Sequence, residues 1–292
     1  MSDRGILSSL RYLLADFIGE DDDEPPFLPE GLPEPVMTLA SEAIHLLIDY
    51  QGPGYARLYV DRLRRFVGKQ GVDEEMLADI ARLMAVRMSY EDPIRIAQLK
   101  LAELADGRNG SVDVRKFSLD ELVGALPAAI AEYILDALDW LGWTRRMRVS
   151  IRFSTKSRLG IRRLKIEAGL RRWRLLSVRY AKERVWVERW LHMIDRALTK
   201  QPQAAPVIVH TATMIVGYGD VYRQGMADWN AIIDGLAKPT FDGVLALSDL
   251  AGAVTEARDA ALPDPRQAAL KRKIAEIRAR ATASAYATVP SS

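Results

Sequence analysis

The stretch MRVSIRFSTKSRLGIRRLKIEAGL, residues 147–170, is where the pattern of the chain changes. Met147, Val149, Ile151 and Phe153 alternate with Arg148, Ser150, Arg152 and Ser154, the period of a half-buried strand. Leu164, Ile166, Ala168 and Leu170 repeat that period, and Lys156 to Gly160 lie between the two runs. The pattern predicts an antiparallel β-hairpin. Two strands alone are marginal in water, so the hairpin is expected to pack on helices or on another subunit.

On both sides of this stretch the apolar positions recur at helical spacing. Upstream, Val36, Leu39, Ala40, Ala43, Leu47 and Ile48 trace one face, which Gly52-Pro53-Gly54 ends. A second helix is expected from Tyr55 and a third from Asp73 through Met88. A fourth has Asp92 as N-cap, Pro93 at its first position and Ile94, Ala97 and Leu101 inward. Asn109-Gly110 is a turn signal. Ser118 and Glu121 have the spacing of a capping box, and a further helix is expected from Pro127 to Gly142. Downstream, residues 177–200 form a long helix with Val187, Trp190, Leu191, Ile194 and Leu198 inward. Helices near 204–216, 221–236, 248–261 and 265–283 follow.

Near the start, Ile6, Leu10, Leu13, Leu14 and Phe17 sit at helical spacing, and the acidic run 20–24 and a series of prolines follow. The expected fold is therefore mainly α, a multi-helix domain with one antiparallel β-hairpin. Its parts are an N-terminal helix with an acidic, proline-rich linker (1–31), a helical group (32–143), and a hairpin, long helix and second helical group (144–283). The last two share one core, and a disordered tail (284–292) ends the chain.

Composition removes several classes of function. With 49% hydrophobic and 27% charged residues the chain is globular in type, and zero cysteines exclude disulfides, thiolate metal sites and cluster ligation by this polypeptide. His45, His192 and His210 are scattered, without clustered carboxylates. No apolar run reaches the roughly 18 residues of a spanning helix, and no signal-peptide pattern opens the chain, so a cytoplasmic protein is expected. No serine–histidine–aspartate order, nucleophile elbow or phosphate-binding loop occurs, and neither catalytic, cofactor-binding nor metal residues can be assigned.

The net charge of +2 conceals a strong asymmetry. Residues 145–189 hold 16 Lys or Arg against three acidic residues, 16 − 3 = +13, which leaves about −11 elsewhere. Within this segment Arg171, Arg172, Trp173 and Arg174 interleave guanidinium groups with an aromatic ring, a composition suited to a protein interface, to a plain solvated face whose arginine stems cover apolar surface, or to nucleic acid. Two further places offer ligand or partner contacts. Tyr90 and Arg95 flank the Asp92 cap; Tyr218 and Arg223 flank Gly217-Tyr218-Gly219-Asp220, read as a tight helix–helix turn with positive φ.

Several segments, taken in order, resemble a known family. They are Leu32-Pro33-Glu34-Pro35, Asp49-Tyr50-Gln51, Tyr55-Ala56 with Tyr59 and Arg62-Leu63, and Met88 through Asp92 with Ile94-Arg95. Further on stand Gly169 through Arg174, Tyr180-Ala181 with Glu183, Glu188 through Leu191, and Gly217 through Asp220 with Arg223 and Gly225. Over about residues 32–262 the chain resembles the helical domain that follows the small catalytic domain in indolepyruvate:acceptor oxidoreductases of the 2-oxoacid:ferredoxin type. The resemblance implies a non-catalytic accessory or scaffolding part that docks the thiamine diphosphate-binding subunit and the small α/β catalytic domain. Thiamine diphosphate, magnesium and iron–sulfur clusters would belong to the partner, because the thiamine motif, the cysteines and the α/β domain are missing here. The alternative from another class is a nucleic-acid-associated helical protein using the Arg/Trp segment.

Overall fold

The structure is a computed structural model that describes residues 26–107, 110–125, 134, 136–138, 140, 148–262 and 264–287. Among the described residues the fold is mainly α with one two-stranded antiparallel sheet. The helix expected from residues 6–18, Asn109 and residues 288–292 of the expected tail (284–292) lie outside the described residues, as does most of the helix expected from 127–142. The described positions 134, 136–138 and 140 of that helix are helical, and so are 284–287, expected as tail.

The chain forms two compact units. Among the described residues, one contains the chain from Pro26 to Arg65 together with Met84–Trp186; the other contains Phe66–Leu83 and the chain from Val187 to Ala287. In the first, α1 (Glu34–Tyr50) buries Val36, Ala40, Ala43 and Leu47 of the face read from the sequence together with Ile44, while Leu39 and Ile48 of that face are half-buried. Gly52, at φ 138°, turns the backbone into α2 (Pro53–Arg64), which packs on α1. Helix α3 (Glu74–Met88) begins where Asp73 Oδ1 accepts from the Met76 amide at 2.8 Å. Helix α4 (Pro93–Ala105) begins where Asp92 Oδ1 accepts from the Arg95 amide at 2.6 Å. The capping box also forms, Glu121 Oε2 accepting from the Ser118 amide at 2.9 Å at the start of α5 (Leu119–Gly124).

The expected hairpin is corrected. Strand β2 (Arg148–Ser154) pairs with β1 (Val112–Ser118), Val112 opposite Ser154 and Ser118 opposite Arg148. Residues 158–169 are helix α6 (Arg158–Gly169). The physical reason lies in two overlapping periods. Ile161, Leu164 and Ala168 also stand at helical spacing, and they are the less exposed face of α6, with Leu164 fully buried. Ile166 and Leu170, which complete the strand-like alternation, point outward. Ser157 caps the helix by accepting from the Gly160 amide at 3.1 Å. Glycine is needed there, since a Cβ would lie 2.3 Å from the Ser154 carbonyl oxygen. Helix α6 packs on α4. Because β1 precedes residue 143 and β2 follows it, the sheet also joins the two sequence parts divided at 143/144.

A short helix α7 (Arg171–Arg174) leads to α8 (Val178–Lys200), whose first turn is capped by Ser177 Oγ accepting from the Tyr180 amide at 3.1 Å. In the second unit, Trp190 of α8 is fully buried and its indole N–H is shared between the carbonyls of Ile208 and Val209, both at 3.2 Å, in α9 (Ala205–His210). Helix α10 (Gly219–Ile232) continues through a π-turn (Ile233–Ala237) into α11 (Lys238–Phe241). The π-turn contributes Ile233, Leu236 and Ala237 to the core. Helices α12 (Leu250–Asp259) and α13 (Ala268–Ala287) complete the unit. No helix among the described residues is long and apolar enough to cross a membrane.

Candidate functional site

The charged interior of the first unit is organised by Arg174. Its side chain is 1% exposed. Nε donates to Asp92 Oδ2 at 2.6 Å and one terminal nitrogen to Oδ1 at 2.9 Å, a two-point pairing of guanidinium and carboxylate. The other terminal nitrogen donates to the Tyr50 carbonyl at 2.8 Å and to Gln51 Oε1 at 3.1 Å. The guanidinium carbon lies 3.9 Å from the centre of the Tyr50 ring, close enough for a desolvated cation–π contact. One side chain thus ties the end of α1, the start of α4 and α7 together. Asp92 has two roles at once, capping α4 and neutralising Arg174.

Aromatic rings surround this pair. Tyr50 stacks on Tyr55 at 5.9 Å and meets Tyr90 edge-on at 5.8 Å. The Tyr50 hydroxyl donates to the Tyr90 carbonyl at 3.2 Å, and that of Tyr55 to the Met88 carbonyl at 2.9 Å. A second buried ion pair lies farther along α8, Arg87 to Glu183 at 2.5 Å, with the Arg87 guanidinium 5.1 Å from the Trp186 ring. Arg179 stands 4.0 Å from Glu183 and 4.9 Å from the Tyr90 ring.

Burial, ahead of any neighbouring charge, pushes the phenols of Tyr50, Tyr55, Tyr59 and Tyr90 above their ordinary range. Burial also opposes the charge of Arg174, but Tyr50 and Asp92 outweigh it and hold its pKa above the usual arginine value. With Tyr50 neutral at pH 7, the balancing charge is that of Asp92. A pH dependence follows. A tyrosine whose pKa is raised in the folded state stays neutral there, while the unfolded chain ionises near pH ~10. The stabilisation is therefore complete below pH ~10 and is lost as pH rises above it toward the folded values. Tyrosinate absorbance is expected to develop together with loss of helical circular dichroism above that pH. Titration of these phenols at the ordinary tyrosine pKa with the helices intact would contradict it.

A cleft beside the network is lined by Tyr90, Asp92, Phe117, Glu121, Arg174 and Arg179, among others. It measures about 320 Å³ out to its open mouth, but the part that admits the centre of a water is about 10 Å³, enough for roughly one molecule. The Tyr90 hydroxyl is buried and makes no hydrogen bond to protein. The guanidinium groups of the lining are matched by as many carboxylates. No three His, Cys, Asp or Glu side chains among the described residues gather as a metal-binding group.

The residues singled out from sequence part ways here. Arg174 and Tyr90, expected as interface or ligand contacts, are buried and so offer no outer-surface contact, and both line the cleft; the short α7 turns Arg174 inward while Arg171 and Trp173 face solvent. The side chain of Arg172 lies outside the described residues. Arg95 is half-buried beside the Tyr50 ring at 5.7 Å, and burial lowers its pKa. Tyr218 and Arg223 belong to the second unit. There Gly217 (φ 67°) and Gly219 (φ 69°) form the expected turn, and Asp220, in the first turn of α10, pairs with Arg223 at 2.6 Å. Sequence reasoning identified Asp92 as a cap and missed its bond to Arg174, 82 residues away, which no local pattern signals.

Fold and site define a mainly helical protein whose first unit is closed around a buried arginine–aspartate–tyrosine network. Residues 36–235 match DUF6537, described as a family of unknown function, and the chain belongs to that family. The match takes in the whole Tyr50–Asp92–Arg174 network. No curated protein and no solved structure matches the chain.

Proposed function

We propose that this chain is a non-catalytic docking module of an indolepyruvate-type 2-oxoacid oxidoreductase in the cytoplasm, holding the thiamine diphosphate-binding subunit through the exposed basic face of α6, α7 and the start of α8. The observation that carries this reading is the way the segments of the resemblance are used. Tyr50, Gln51, Tyr55, Tyr90, Asp92, Arg174 and Glu183, drawn from five of them, meet in one interior network. The carboxylates of Asp92 and Glu183 are engaged with Arg174 and Arg87 there, the Tyr90 hydroxyl makes no hydrogen bond to protein, and the adjoining cleft has room for about one water rather than a diphosphate cofactor. What is left for recognition is the outer surface, where Arg158, Arg162, Lys165, Arg171 and Trp173 are exposed.

Affinity capture of the tagged full-length chain from its native host, read by mass spectrometry, tests the proposal. Recovery of a thiamine diphosphate-dependent oxidoreductase subunit is expected, and its consistent absence would overturn the reading, as would turnover of an arylpyruvate by the purified chain alone. Arg158→Glu with Lys165→Glu is expected to lower that recovery about ten-fold, by placing like charges against an acidic partner face. Tight binding of mixed DNA or RNA at ~50 mM salt would favour nucleic acid as the partner instead.

A further inference from the structure

Helix α6 has two apolar faces, and one of them is turned outward. Leu159, Ile166 and Trp173 recur every seven residues and Leu170 stands four after Ile166, the spacing of a coiled-coil seam. In that order they are 80%, 61%, 53% and 42% exposed. The turn of the helix continues past the end of α6, since the Leu170 amide donates to the Glu167 carbonyl at 3.1 Å and the Trp173 amide to the Leu170 carbonyl at 2.9 Å. At about 100° per residue the four side chains fall within roughly 60° of one another, over a length of about 21 Å. Scattered exposed leucines need no explanation, but a contiguous apolar stripe marks a contact surface.

The rim of the stripe is one-signed. Arg158, Arg162, Lys165 and Arg171 are exposed and have no carboxylate partner among the described residues; the single acidic side chain of the region, Glu167, is taken by Arg163 at 2.7 Å. By helical position Arg162 and Arg163 border the stripe on its two sides. Width and charge together select the occupant. A helix lying in a bilayer interface needs an apolar sector of about 100° or more, and this one is narrower. A second copy would set this rim against a like-charged one. Leu159, Ile166 and Leu170 carry no ring on which a base could stack. What matches is one helix with an equally narrow apolar seam between acidic flanks, laid along the stripe.

We infer that the occupant of the Leu159–Trp173 stripe is an amphipathic α-helix of the partner subunit, its aliphatic seam on the stripe and its Asp and Glu side chains against Arg158, Arg162, Lys165 and Arg171. This rests on the proposed docking role of the basic face, and it adds the form and the chemistry of what docks there. Leu159 and Ile166, the most exposed of the four, are the anchors. The charged rim sets the register and rejects a basic helix.

The probe is a fluorescent three-heptad peptide with leucine at the a and d positions and glutamate at e and g, titrated with the full-length protein and followed by anisotropy. Binding of this peptide, and none of its lysine counterpart, is expected at ~100 mM salt. Leu159→Ser with Ile166→Ser, both at exposed positions, is expected to weaken binding about ten-fold or more. Val185→Ser, at an exposed position of α8, is expected to leave it unchanged. No binding of the glutamate peptide, or undiminished binding to the double variant, would overturn the inference. So would binding to phosphatidylserine vesicles, or self-association, that the double variant abolishes, since the occupant would then be a lipid surface or a second copy. Failure of the wider reading looks different: the peptide binds at the stripe, yet capture from the host recovers no thiamine diphosphate-dependent subunit. Equal capture of that subunit by the double variant and the parent would leave the docking role standing and overturn the helix.

Discussion

Replacing Arg174 by methionine is expected to lower the stability of the first unit by about 3–5 kcal/mol, the range seen when one member of a buried ion pair is removed. The loss has named parts. Asp92 keeps its charge in the interior without its two-point partner, and the Tyr50 carbonyl and Gln51 Oε1 lose a donor. The helix cap survives, because Asp92 still accepts from the Arg95 amide. Arg174→Lys should recover only part of the loss, since an ammonium cannot reproduce the fork that meets both carboxylate oxygens and stacks on Tyr50. Combining Arg174→Met with Asp92→Asn removes the stranded charge and keeps a capping side chain, so the pair of changes should cost less than the sum of the singles. Because the chain has two compact units, the readout should be local. Hydrogen exchange of the α1 and α4 amides under native conditions meets that need. A single variant within about 1 kcal/mol of the parent would show that the network is not a keystone.

Gly225→Ala is expected to destabilise the second unit by about 3 kcal/mol, although glycine to alanine inside an exposed helix ordinarily gains about 1 kcal/mol. Gly225 lies inside α10 and is buried. A Cβ there would stand 2.2 Å from the Met214 carbonyl oxygen and 3.2 Å from the Ile215 Cα. Both are backbone atoms of the turn that ends at Met214–Ile215, so no side chain can rotate away, and the helix or the turn must move. Gly169→Ala is the matching control. Its Cβ would meet nothing within 4 Å, and the substitution should be neutral or mildly stabilising. Thermal unfolding of the two variants side by side checks the contrast, and equal melting temperatures would show that the close approach at Gly225 is not required.

The helices were legible wherever a cap and a periodic face agreed. Asp73, Asp92, Ser118 with Glu121, and Gly217 with Gly219 all mark real boundaries, because each meets a local backbone need that the neighbouring few residues already define. The region 158–170 was misread for an equally local reason: a short run carried both periods, and which side of Leu164 faces the interior depends on α4, not on the run itself. The partner of β2 was missed because Val112 and Val114 begin an alternation that Phe117 breaks.

Sequence by itself determined the helical class, most helix starts, the basic segment 145–189 and the absence of thiol chemistry, since these depend on composition and on residues within a turn or two of each other. Tertiary structure alone decided which arginine of the run 171–174 turns inward, that Asp92 balances it, and which apolar stripe of α6 stays outside. Those outcomes depend on desolvation and on contacts between segments tens of residues apart, and neither quantity is defined until the chain has folded.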